Sequence, residues 1–173
     1  MVQKRVEAKD PEAVRYLGDL HRSGDCGVVE DGQRGFKLWT EAAELGSIRA
    51  LFKIGFSYVH GVEVSQNKAQ GIPYLESAAM RGCADSRHHV GLVEGMNRNF
   101  DRAVRHLLIS SNMGYEESLD VIKEMFADGL ATEQQYAEAL RGYQDALEEM
   151  KSPQRDEAEA LGFAEFSGNP PES

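Results

Sequence analysis

Five histidines and two cysteines are the side chains of this sequence with the most chemistry to offer, and their spacing decides what they can do. His88 and His89 are adjacent, so on a helix their rings point about 100° apart. A zinc-binding helix holds its two histidines at i and i+4, one beside a glutamate, and no pair among His21, His60, His88, His89 and His106 has that spacing. Cys26 and Cys83 are too few for a disulfide framework or a cysteine-based zinc site, and read as free thiols of a reducing compartment.

The remaining motifs of catalysis are absent from the sequence. The glycines at Gly24 and Gly27 have neither the Lys-Ser/Thr of a phosphate loop nor a preceding strand. There is no Gly-x-Ser-x-Gly nucleophile elbow. Carboxylates such as Glu148-Glu149 and Glu157 to Glu159 have the pattern of solvated helix faces. The sequence thus predicts no catalytic residues, no metal and no cofactor.

Charge narrows the partners. The formal charge of −10 repels nucleic acid and anionic membranes, whose binding rests on Lys and Arg neutralising phosphate. A protein or peptide partner of basic or mixed charge fits better. No run approaches the roughly 20 apolar residues of a membrane span, and Met1 to Asp10 lacks the apolar stretch of a secretory signal, so a cytoplasmic location is favoured.

The elements that carry these residues emerge from an internal repeat. A glycine follows an apolar residue at Leu17-Gly18, Ile54-Gly55 and Val90-Gly91, with the glycines 37 and 36 apart. Small pairs at Ala42-Ala43, Ala78-Ala79 and Ser110-Ser111, and less cleanly Ala146-Leu147, are spaced 36, 32 and 36. A small residue seven before each pair (Gly35, Gly71, Ala103, Ala139) moves in step, as do the terminating glycines Gly46, Gly82 and Gly114. Gly55 to Gly71 is 16 residues but Gly91 to Ala103 is 12, so the third unit's loop is four residues shorter.

Each unit reads as two helices joined by a turn. Asp10 caps the first helix ahead of Pro11, and Ala13, Tyr16, Leu17 and Leu20 mark its apolar stripe. Asp31 and Asn67 are placed to cap second helices, and Gly46 to stop one in the left-handed conformation. Pro73 falls inside a second helix, where it removes a hydrogen bond and can kink the chain. Glycine mid-helix costs about 1 kcal/mol against alanine, a cost that makes sense where a neighbouring helix crosses near backbone contact. Gly18, Gly55 and Gly91 are therefore expected to meet Gly35, Gly71 and Ala103. His21 stands where the next unit has Tyr58, and His106 at an aromatic position, so both read as buried, satisfied rings.

In these landmarks, and in Gly61-Val62, Asn67-Lys68-Ala69 and the Ala-Ala-x-x-Gly at Ala42 to Gly46 and Ala78 to Gly82, the sequence resembles the Sel1-like repeat family, relatives of the tetratricopeptide repeats. The resemblance implies an all-α fold, a right-handed α/α superhelix or solenoid used as an adaptor in protein complexes. Residues 1–9 form an N-terminal extension. The array spans 10–151, in units of about 10–46, 47–82, 83–114 and 115–150. Residues 152–166 are expected to form a C-terminal capping helix, since solenoids cover their last apolar face, and 167–173 a disordered tail. Unit four is degenerate, with Lys123 where the mid-helix glycine should be.

By analogy with related repeats, first-helix residues outside the buried stripe line the concave surface. Counting from the mid-helix glycines gives Arg15, Asp19 and Arg22 in the first row, Arg49, Phe52 and Phe56 in the second, and His88 and Leu92 in the third. Phe52 and Phe56 have two readings: aromatic anchors inside a polar rim, or rings packed between units. The function expected is an interaction scaffold or adaptor; the alternative is a hydrolase or small-molecule binder on the same solenoid, which requires a deep polar pocket with perturbed titratable groups.

Overall fold

The computed structural model describes residues 2–151, and among these it contains α-helices and no strand. A short helix, α1 (Val2–Glu7), precedes four helical pairs: α2 (Pro11–Ser23) with α3 (Gly32–Glu44), α4 (Ile48–His60) with α5 (Lys68–Met80), α6 (Ala84–Met96) with α7 (Phe100–Ser111), and α8 (Glu116–Ala127) with α9 (Glu133–Met150). The capping helix and tail expected beyond residue 151 lie outside the described residues. In the first three pairs each first helix packs most extensively on its own second helix, and each second helix then packs on the next unit. That nearest-neighbour stacking is what a solenoid requires.

Local chemistry sets the helix ends. The Asp10 carboxylate accepts from the backbone N–H of Glu12 and Ala13, with Pro11 in the first turn. Asp31 and Asn67 accept from Arg34 and Gln70 N–H in the same way. Gly46, Gly82 and Gly114 end the second helices at φ of 105°, 90° and 83°, the left-handed region that spares glycine a Cβ clash. The α5 helix runs unbroken through Pro73, whose side faces solvent.

The small residues mark where helices touch. A Cβ on Gly18 would stand 2.7 Å from Trp39 Cδ1 and 3.0 Å from the Gly35 carbonyl oxygen. One on Gly71 would stand 2.7 Å from the Gly55 carbonyl oxygen, and one on Gly91 2.8 Å from Leu107 Cγ. In unit four Lys123 is solvent-exposed, and α8 instead buries Ser118, Ile122 and Met125.

The loops between paired helices are eight, seven and three residues long in the first three units, by the helix limits. One backbone bond survives that shortening. The N–H of Asp31 donates to the carbonyl of His21 (2.6 Å), Asn67 to Tyr58 (2.7 Å) and Asn99 to Glu94 (2.9 Å). The three acceptors are repeat equivalents, so the start of each second helix is pinned to the same point of its partner.

The first helix departs from its expected stripe. Ala13, Val14 and Gly18 are buried, while Tyr16 is 42% exposed. The close glycine crossing rotates α2 so that Val14 faces the core with Trp39, Ala42 and Ile54. Val6 of α1 also packs there, so the N-terminal residues add to the core. His21 departs too: its Nδ1 is buried without a hydrogen-bond partner.

Candidate functional site

The first helices share one face, and α4 reaches α6 directly across it. From Phe52 the helical i, i+4 step runs to Phe56 and then His60. The ring centroids of Phe52 and Phe56 lie 5.9 Å apart, and those of Phe56 and His60 4.3 Å. His89 of α6 meets all three, at 5.3, 5.2 and 5.8 Å. The belt continues through His88 to Tyr115, ahead of α8. Both phenylalanines are half-buried, so each ring packs against the next unit and still shows an edge.

The N-terminal end of this face is a charge network. Asp19 accepts from Trp39 Nε1 at 2.9 Å and pairs with Lys53 at 3.0 Å and with Arg15. Lys53 Nζ lies 5.2 Å from the Trp39 ring centroid, a cation–π contact. Arg15 also pairs with Glu12 at 2.7 Å. Burial alone would raise the Glu12 pKa, but a hydrogen bond from Ser47 and the guanidinium of Arg15 bring it below its ordinary value. Arg15 and Asp19 are thus engaged within the chain: Arg15 pairs along α2, and Asp19 ties α2 to Trp39 of α3 and Lys53 of α4.

The other expected residues divide among three places. Arg22, Phe52 and Phe56 line a crevice of about 160 Å³ with Trp39 and Lys53. Leu92 lines a second, of about 250 Å³, with His60, Lys68 and His89. Arg49 lies elsewhere, in a hollow along the helix starts beside Pro11, Glu12 and Asp85. His88 does not present an open surface. It is 7% exposed, and its Nδ1 lies 2.9 Å from Ser118 Oγ. The arrival of α8 over α6 buries a position that counting along one helix leaves open.

Sequence counting missed His60, Lys68 and His89. One more i+4 step from Phe56 reaches His60, and His89 is the repeat equivalent of Lys53. Lys68 starts α5 and is brought to the face by the loop, a placement with no signal along a single helix. His89 Nδ1 lies 2.9 Å from the carbonyl of Asp85. Only an N–H can satisfy that acceptor, so neutral His89 carries its lone pair on Nε2. Burial first, then His89 and Lys68, lower the His60 pKa; burial first, then His89, lowers that of His88.

Among the described residues no group of three or more His, Cys, Asp or Glu side chains is placed to hold a metal ion. No described helix is long and apolar enough to cross a membrane. Cys26 is exposed and Cys83 buried, both unpaired with one another.

Comparison with known proteins bears on this arrangement. The family model described as the Sel1 repeat matches residues 11–47, 48–83 and 84–115. A Sel1 repeat protein from Oxalobacter formigenes has a similar structure, with a TM-score of 0.72 and 24% identity, over 85% of this chain and 62% of that one. A protective antigen of uropathogenic Escherichia coli with an SLR fold is similar at a TM-score of 0.73 and 20% identity, over 86% of this chain and 32% of that one. An immunity protein from Pseudomonas aeruginosa is similar at 0.52 and 16% identity, covering 87% and 73%. This chain spans less than two thirds of the first two, and all three likenesses concern the fold. No curated protein sequence matches the chain.

Proposed function

Because the chain belongs to the Sel1 repeat family, whose members are generally protein-interaction scaffolds, we propose that it is an interaction scaffold that binds a protein or peptide partner on the face formed by α2, α4 and α6. The observation that carries this reading is the belt of Phe52, Phe56, His60 and His89, rings in mutual contact yet partly open to solvent. Aromatic groups held rigid by their neighbours contribute contact area at low entropic cost. The crevices beside them are small, about 160 and 250 Å³, which suits single side chains of a partner better than a whole small-molecule substrate. The fold is expected to work without catalytic chemistry of its own.

Affinity capture with the wild-type chain and Phe52→Ala tests the reading. Loss of a specific partner with an unchanged circular-dichroism spectrum is expected. A partner retained equally by both proteins would place binding elsewhere.

A further inference from the structure

The two crevices are one feature repeated. Arg22, Lys53 and Phe56 of the first correspond, by the 37- and 36-residue steps of the array, to Val59, His89 and Leu92 of the second. Phe56 forms the wall between them: it lines the first, and its ring meets His60 and His89 of the second at 4.3 and 5.2 Å. Both have apolar floors. The second is floored by Leu92 and Val93 beside Met96, itself 68% exposed.

Their charge departs from the rest of the molecule. In a chain of net charge −10, the charged side chains lining the two crevices are Arg22, Lys53 and Lys68, and no carboxylate lines either one. Lys53 has Asp19 at 3.0 Å and Arg22 has Glu63 at 3.3 Å. Lys68 has no ion pair among the described residues, and His60 and His89 stand beside it in the second crevice.

Building on the scaffold reading above, we infer that the occupant is an extended acidic segment of a partner protein, which seats two apolar side chains in the paired crevices and sets a carboxylate against Lys68, unpaired among the described residues, beside His60 and His89. Spacing follows from geometry. Packed helices lie about 8–10 Å apart, and a chain extended as a polyproline II helix advances about 3.1 Å per residue with three residues per turn, so that every third side chain faces the same way. The two apolar residues therefore stand about three apart, with acidic residues between and around them. The negative charge of the whole chain opposes such a segment at long range, so the attraction is local and confined to the crevices.

Fluorescence anisotropy on the full chain tests this with two labelled octapeptides, Glu-Glu-Phe-Glu-Glu-Phe-Glu-Glu and its counterpart with Lys in place of every Glu. The acidic peptide is expected to bind. Lys68→Glu, a surface change that leaves the core alone, should weaken it about fivefold, and Phe56→Ala, which opens both crevices, at least about tenfold. Tighter binding of the basic peptide, or no binding of the acidic one at millimolar concentration, overturns the acidic assignment and leaves the scaffold reading standing. Acidic-peptide binding that is unchanged in a folded Phe56→Ala chain overturns both.

Discussion

Gly55 and Gly71 meet backbone to backbone: a methyl group on Gly71 would stand 2.7 Å from the Gly55 carbonyl oxygen. A backbone oxygen cannot swing aside as a side chain can. Gly71→Ala should therefore destabilise the fold, by about 1–3 kcal/mol of overpacking offset by about 1 kcal/mol of helix propensity. Gly55→Leu is expected to be worse, because Leu75 Cγ and backbone N lie 2.8 and 2.9 Å from its Cβ site. Gly95→Ala is the control. Its nearest neighbour would be Ala103 Cβ at 3.8 Å, ordinary contact, so it should gain up to about 1 kcal/mol. Chemical denaturation of the three variants should give two losses and one gain; a stabilised Gly71→Ala would refute the close crossing.

The same glycines explain why so much of this fold was legible in the sequence. A close helix crossing, a left-handed helix end and a capping side chain each demand one of very few residue types. Gly71, Gly46 and Asn67 could therefore be read directly. The site was less legible because it depends on neighbours. His88 and His89 are adjacent in sequence, yet α8 covers one and leaves the other beside Phe52. Lys68 reaches the face only because the loop from Gly61 to Asn67 folds back on Tyr58. Nor does periodicity show that Asp19 is already engaged by Arg15, Trp39 and Lys53.

Asp19 makes a separable test of structure against binding. Trp39 is 2% exposed and donates its indole N–H to Asp19 at 2.9 Å. Asp19→Ala leaves that donor buried without its acceptor, at a cost of about 1–3 kcal/mol. Asp19→Asn keeps an acceptor oxygen in place and should lose less. Thermal melts followed by Trp39 fluorescence, the chain's single tryptophan, should rank wild type above Asn and Asn above Ala. Equal melting temperatures would show that Asp19 is dispensable to the packing.

Acid should loosen the array before it titrates the carboxylates. Burial, more than His89, lowers the His88 pKa, and Glu117 and Asp85 only partly counter it. Ser118 Oγ faces its Nδ1, and the Tyr115 ring lies 5.1 Å away. The unfolded chain thus binds a proton at this site more readily than the folded one. The associated stability is complete above the ordinary histidine value of about 6.5 and is lost as pH falls through it toward the folded value. His60 and His106, whose pKa values are lowered first by burial, act in the same direction. Melting temperatures should fall between pH 7.5 and pH 5.5, and His88→Gln should flatten that slope. A melt that rises on acidification would contradict the buried, neutral His88.

Arg98 carries a left-handed backbone, φ 63°, where α6 ends. The first two units put Gly24 and Gly61 into that conformation at φ of 71° and 74°. Deletion of four loop residues leaves only Asn97, Arg98 and Asn99 between α6 and α7, and the chain still reaches the Glu94 carbonyl. The reversal therefore falls on Arg98. A non-glycine residue there costs about 1–2 kcal/mol relative to the right-handed conformation. Glycine removes that strain but raises the entropy of the unfolded chain. The balance favours Arg98→Gly by up to about 1 kcal/mol, and the Arg98 side chain is exposed, so no core contact is lost. Denaturant midpoints should rise for Arg98→Gly and fall for Arg98→Val, whose branched Cβ is poorly suited to positive φ. A fall in both would mean that the short loop is held by the arginine side chain and not by its backbone.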